Sequence, residues 1–310
     1  MKTKISYSLI CVHLILFISS CEKDPEPVLS SPSLSNLEVG SGNNQIGVIG
    51  RDFHLNADIV AGDKIDLVQV IIAPIAGESY AGSWRFELSW EQFKGLKNTN
   101  VHQHFDIPLD AFEGKYEFTI RVTDENGTFL EERVEIQLVD PSNLEVDPKL
   151  YLWMITTDQG DFHYVNESLE NPKEVEFSKG EILNSDATIK HVKGDGRIYL
   201  LLIKKDHNHL PESVADIDFS KVIVYDTYSH TNQEDVDSFS NVIYDGVGGY
   251  LRPSPKLTIG QNTDNNSPGS DLTLGERAWQ SGGYYFGVVY TNSTFDISLH
   301  HYLEVKVTGI

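Results

Sequence analysis

Cysteine is nearly absent from this chain: of 310 residues only Cys11 and Cys21 carry a thiol, both near the N-terminus. A body without further thiols cannot be stapled by disulfides. Its stability must come from burial, which about 290 residues arranged as two domains can supply. Positive charge is scarce as well, with 24 Lys and Arg against 46 Asp and Glu for a formal charge of −22. That balance argues against nucleic acid as a partner. Also missing are a convincing amphipathic helix and the short motifs of catalysis: Gly-x-Ser-x-Gly, His-Glu-x-x-His and a phosphate-cradling loop. No enzyme is expected.

The only long apolar run lies at the start. Basic Met1-Lys2-Thr3-Lys4 precedes an apolar stretch from Ile5 to about Ile18, which ends in Ile18-Ser19-Ser20-Cys21. The stretch is too short for a spanning helix, and small residues before a cysteine suit a lipoprotein signal. Residues 1–20 are therefore expected to be a signal peptide and Cys21 the lipidation site, whose thiol takes up a diacylglyceryl group. Removal of Lys2 and Lys4 with the signal takes the formal charge from −22 to −24. Residues 21–36, rich in Pro and Ser, read as a flexible tether. Cys21-Glu22-Lys23-Asp24 resembles the lysine-plus-acid signal that exports lipoproteins of Bacteroidota, with Pro25 where a second acid is usual. The expected location is the outer membrane, lipid-anchored and facing the cell surface, with a periplasmic orientation left open.

From residue 37 to 140 the hydrophobic period is two. Tyr116, Phe118, Ile120 and Val122 alternate with Lys115, Glu117, Thr119 and Arg121, which is the pattern of a half-buried strand. Asn126-Gly127 then suggests a two-residue hairpin turn, and Val134, Ile136 and Leu138 resume the alternation. Similar runs at 52–59, 65–73, 84–90 and 101–107 give about six or seven strands, the signature of an immunoglobulin-like β-sandwich. Asp140-Pro141-Ser142-Asn143 marks a boundary. Residues 144–310 are again β-rich, and Ala278 to Phe286 echoes Ala111 to Phe118. The fold expected is all-β: two tandem immunoglobulin-like sandwiches, the second with polar insertions such as 261–271.

Several blocks of the first domain resemble a family of Bacteroidota lipoproteins catalogued as domain of unknown function 4625. They are Gly50-Arg51-Asp52-Phe53-His54-Leu55, Gly95-Leu96-Lys97-Asn98, Val101 to Pro108, and Gly114-Lys115-Tyr116 leading to Val122-Thr123-Asp124. The resemblance implies a lipoprotein with a sandwich-like domain and brings no established activity.

The candidate site is a set of histidines. Alternation sends Val101, Phe105 and Ile107 inward and His102, His104 and Asp106 outward; in 52–59 it sends His54 outward with Asp52. Both faces are expected to be wet. Residues i and i+2 on a strand stand roughly 6.5–7 Å apart, a span that two imidazoles close on one metal. If these runs are neighbouring strands, His54, His102 and His104 converge and would suit Zn²⁺ or Cu²⁺, with Asp106 or Asp52 as fourth ligand or supporting carboxylate. The alternative is a polar sheet face. Asp161-Phe162-His163 and Asp206-His207-Asn208-His209 offer poorer context, and His300 and His301 must face opposite ways. Asp124 to Gly127 and Gln261 to Asn266 read as turns rather than calcium loops. Four tryptophans and fourteen tyrosines could form a platform for a glycan.

The sequence thus leads to a non-catalytic outer-membrane lipoprotein that binds a ligand or partner, with nutrient or transition-metal capture near an outer-membrane transporter as the concrete form. The competing expectation is a structural or adhesive spacer with no small ligand.

Overall fold

A computed structural model describes residues 29–158, 160–166, 168–170 and 174–310. Cys21, the expected signal peptide and the expected tether up to residue 28 lie outside these residues. The first domain comprises β1 (Ser33–Val39), β2 (Ile46–Val48), β3 (Asp52–Val60), β4 (Ile65–Pro74), β5 (Phe86–Trp90), β6 (Asn98–Asp106), β7 (Gly114–Asp124) and β8 (Phe129–Val139). β1 begins inside the segment expected to be tether, so residues 33–36 are strand.

These strands form a three-stranded sheet, β1-β3-β6, and a five-stranded sheet, β2-β8-β7-β4-β5. Phe53, Leu55, Ala57 and Ile59 of β3 share one buried cluster with Val68, Val70 and Ile72 of β4 and Tyr116, Phe118 and Val122 of β7. The rings of Phe53 and Phe118 sit 5.9 Å apart across the two sheets. This is the two-layer packing that period-two alternation dictates. Between β7 and β8 the loop spans residues 125–128, longer than the two-residue turn expected, and only its Gly127 takes a positive φ (86°). Asn126 instead donates its backbone N–H to Asp124 Oδ1 at 3.0 Å, an Asx turn that needs no left-handed residue at that position.

The second domain comprises β9 (Lys149–Thr157), β10 (Gly160–Val165), β11 (Ser168–Glu170), β12 (Val175–Ser178), β13 (Ile182–Lys204), β14 (Val222–Ser240), β15 (Ile243–Tyr244), β16 (Tyr250–Arg252), β17 (Leu257–Thr258), β18 (Gly282–Asn292) and β19 (Ile297–Thr308). It departs from a simple second copy. β11-β10-β9-β13-β18-β19-β12 form one continuous path in a nine-stranded sheet, with β14 and β17 also paired to β13. The first half of β13 pairs with β9 and the second half with β18. Between the halves lie successive register shifts from Ile189 to Gly196, with His191 (φ 58°) and Gly194 (φ 71°) in the left-handed region. Such bulges bend a strand, and here they fold the sheet onto itself. Trp153 of β9 consequently meets Phe286 of β18 at 5.1 Å. The echo between domains holds in the structure, since Gly114 and Gly282 each open a strand and Tyr116 and Tyr284 are each buried behind them.

Residues 205–221 connect β13 to β14 and cover the other face of the bent sheet. Ile217, with Val214 beside it, packs on Tyr199, Leu201, Val224 and Val289. Val214 N–H donates to Thr291 Oγ1 at 2.9 Å, and the Tyr302 hydroxyl donates to the Pro211 carbonyl at 2.5 Å. These contacts fix both sides of Glu212.

Candidate metal centre

β3 and β6 run antiparallel as immediate neighbours, with Asp52 opposite Asp106, His54 opposite His104 and Asn56 opposite His102. The outward face therefore carries His54 and His104 as a direct cross-strand pair and His102 diagonally next to them. Ring centroids stand 5.0 Å apart for His54 and His102, and 5.2 Å apart for each of the other two pairs.

This face is not wet at His54. Only 6% of His54 is exposed, because Glu212 of the second domain and Glu38 of β1 close over it. Glu212, not Asp106, supplies the carboxylate beside the three imidazoles: one ligand atom from each of His54, His102, His104 and Glu212 lies within 4.8 Å of all the others. Asp106 remains exposed at the end of β6 opposite Asp52 and belongs to no such group among the described residues. The sheet face alone could not reveal this, because the covering carboxylate comes from the other domain.

Glu212 Oε1 lies 2.9 Å from His104 Nε2 and 3.3 Å from His102 Nε2, and those two nitrogens are 3.3 Å apart. Glu212 Oε2 lies 2.9 Å from His54 Nδ1. A tetrahedral ion with bonds of about 2.0–2.1 Å has ligand-to-ligand edges of roughly 3.3 Å, which the separations among Glu212 Oε1, His102 Nε2 and His104 Nε2 approach. The far nitrogens fit the same scheme: His104 Nδ1 is 2.6 Å from Asp52 Oδ2, and His54 Nε2 is 3.6 Å from Glu38 Oε2. An imidazole that turns one nitrogen to a common centre and the other to a carboxylate is the usual arrangement of a metal-ligating histidine. Neither nitrogen of buried His54 has an aligned hydrogen-bond partner, and Glu38 Oε1 has none either. Glu212 thus approaches His54 at ion-pair distance but off the hydrogen-bond axis.

Neighbouring carboxylates favour the protonated form of two of these imidazoles, His54 and His104. Burial works against charge on His54, yet its contacts with Glu212 and Glu38 outweigh this and push its pKa up to about 9. His104 rises to about 10, chiefly through Asp52 and then Glu212. Burial alone would lift Glu212, but His104 Nε2 at 2.9 Å and the positive charge of His54 close by hold it well below the usual carboxylate range. His300 stands behind Glu212, and burial lowers its pKa. The donor set, three imidazoles and one carboxylate, fits Zn²⁺ or Cu²⁺.

The cluster bridges the domains. Beside it, Arg51 clamps Asp147 with bonds of 2.6 and 3.0 Å, and Asn44 Nδ2 donates to the Asp296 carbonyl at 2.6 Å. Other candidates have local roles. His207 Nδ1 donates to the Lys221 carbonyl, and His209 Nε2 accepts from Asp218 N–H, so both pin their loop. His301 packs against Tyr164 with ring centroids 4.1 Å apart and the planes tilted by 41°, while His300 faces the cluster. Asp264 accepts from the backbone of Val224, Asn266 and Ser270, which organises a loop with protein donors alone. All four tryptophans are buried, so none forms an exposed platform.

The fold and site define an all-β protein with a histidine-carboxylate cluster at the junction of two domains. Residues 19–139 match the family described as domain of unknown function (DUF4625), as the blocks around His54 and His102 suggested; Glu212 lies beyond the matched segment. No curated protein matches the chain. Among solved structures it is similar to dimeric latent PorU from Porphyromonas gingivalis at 9% identity and a TM-score of 0.30, over 94% of this chain and 21% of that one. The chain spans about a fifth of that protein's length, and a likeness at this level carries no inference.

Proposed function

We propose that this protein is a non-catalytic, lipid-anchored protein of the outer membrane, displayed at the cell surface, that captures Zn²⁺ or Cu²⁺ between its two β domains. The convergence of His54, His102 and His104 on Glu212 carries this reading. Four protein donors complete a tetrahedron, which suits holding an ion rather than activating a water at an open position. The lipoprotein signal ending at Cys21 supports the location, and a captured ion would be passed to an outer-membrane transporter. The first domain is read as immunoglobulin-like because β3 and β6 adjoin in one sheet while β4, β7 and β8 adjoin in the other.

The ion also acts on the fold in this reading. Interfaces between domains permit relative motion unless they are large and apolar, and the contacts named at this junction are polar. An ion shared by β3, β6 and Glu212 ties the domains together. Calorimetric titration with Zn²⁺ and Cu²⁺ tests the proposal: the wild type binds with one ion per chain, and His102→Ala/His104→Ala loses that binding. Equal binding by both proteins would overturn it.

A further inference from the structure

One face of the β9-β13 sheet lies under cover where alternation alone would leave it in water. Thr156 stands opposite Asn184 and Met154 opposite Asp186, so these four side chains share a face, while Trp153 and Ile155 enter the core. The β15-β16 hairpin and residues 253–256 stand over them. A cavity of about 300 Å³ remains between, lined by Met154, Asn184, Asp186, Val242, Tyr250 and Lys256 among others.

Asp186 is 7% exposed. Its Oδ2 accepts a hydrogen bond from the Tyr244 hydroxyl at 3.0 Å, but buried Oδ1 has no hydrogen-bond partner among the described residues. A buried acceptor without a donor costs stability, and folded proteins keep few of them. Burial lifts this carboxyl above its ordinary pKa. The walls are fixed by a polar network. Arg252 holds Asp226 through bonds of 2.8 and 3.0 Å, and Asn241 donates to the same carboxylate at 2.7 Å. Ser254 Oγ donates to the Ser185 carbonyl at 2.9 Å, and the Tyr225 hydroxyl donates to that of Pro255 at 2.8 Å. At the mouth, Tyr244 and Tyr250 are each 55% exposed with rings 4.9 Å apart, beside exposed Leu251.

We infer that this cavity is a binding subsite for one neutral saccharide ring, which lies against Tyr250 and donates hydroxyl hydrogen bonds to Asp186. Lys256 on the wall opposes a cationic amine, and Asp186 opposes an anion. An aromatic ring, aliphatic atoms and a few polar groups suit a ligand with an apolar C–H face and a polar edge. The volume is at the small end for ligand pockets, which favours a single ring. The site is separate from the histidine cluster and stands or falls without it.

Glucose, galactose, mannose and N-acetylglucosamine at millimolar concentration serve as probes of the full chain in detergent, read by saturation-transfer NMR and calorimetry. At least one should bind, and Asp186→Asn and Tyr250→Ala should each weaken it at least about tenfold, with Zn²⁺ binding unchanged. Asp186→Asn keeps an acceptor for Tyr244 and removes the stranded charge, so its melting temperature should equal or exceed that of the wild type. No binding of any of the four sugars, or binding indifferent to both substitutions, would overturn the inference. A lowered melting temperature in Asp186→Asn without sugar binding by the wild type would make Asp186 purely structural.

Discussion

His54 Nδ1 and Glu212 Oε2 meet at 2.9 Å across the junction of two domains, with 7% and 12% of their side chains exposed. A buried imidazole whose nitrogens lack aligned hydrogen bonds is thus set against a partly buried carboxylate from the other domain. Several consequences can be measured.

Glu212→Ala removes the second domain's only donor to the four-residue group. The three histidines should still bind Zn²⁺, at an affinity about 10–100-fold lower. The ion should no longer protect residues 209–216 from hydrogen exchange. Zinc-dependent protection that survives the substitution would show that the domains are not coupled through the ion.

Asp52→Asn should weaken Zn²⁺ by about 10–100-fold, the usual cost of losing a carboxylate behind a ligating histidine. The fold should persist, because Asp52 is exposed on the face of β3 away from the core. Competition titration against a chelator gives the affinity, and circular dichroism checks the fold.

The pH dependence has opposite signs with and without metal. His54 and His104 are raised from 6.5 to about 9 and about 10. Their contribution to the metal-free protein is fully present below about 6.5 and is lost as pH rises through about 9 to 10. Glu212 is depressed, so its contribution is present above the ordinary carboxylate range and lost as pH falls through its lowered pKa. Metal competes with the imidazole protons, so its affinity should rise with pH up to about 9 to 10, by as much as about tenfold per unit for each proton displaced. Melting temperatures in chelator and zinc titrations across pH 6 to 10 provide the check; flat affinity over that range would rule out proton-metal exchange at these residues.

Cys21→Ser should abolish incorporation of a clickable fatty acid and release the protein from membranes. Labelling that persists would remove the lipid anchor from the proposed function.

Trp153→Ala should cost about 3–5 kcal/mol, because this fully buried indole fills the bend of the second domain and donates to Ser185 Oγ at 2.8 Å. Chemical denaturation would measure it, and a loss below about 1 kcal/mol would contradict the packing described.

The strands of the first domain were legible because their inner residues alternate strictly: Phe53, Leu55, Ala57 and Ile59 name both the strand and its face. His54 and His104 followed from that alternation once β3 and β6 were taken as neighbours. Glu212 was hidden, since it follows Pro211 in a segment without period and is placed by tertiary contacts of Val214, Ile217 and Tyr302. For the same reason Asp106 stood in for it. β13 and β14 were legible only in their apolar halves. Residues 231–238 are largely exposed on both faces, so nothing in their hydrophobicity distinguishes strand from loop.

The central claim is one ion held jointly by His54, His102, His104 and Glu212. X-ray absorption at the zinc edge of the loaded protein tests it most directly. The expected result is a four-coordinate ion with three imidazole nitrogens and one oxygen at about 2.0–2.2 Å. A six-oxygen shell without imidazole scattering would contradict it.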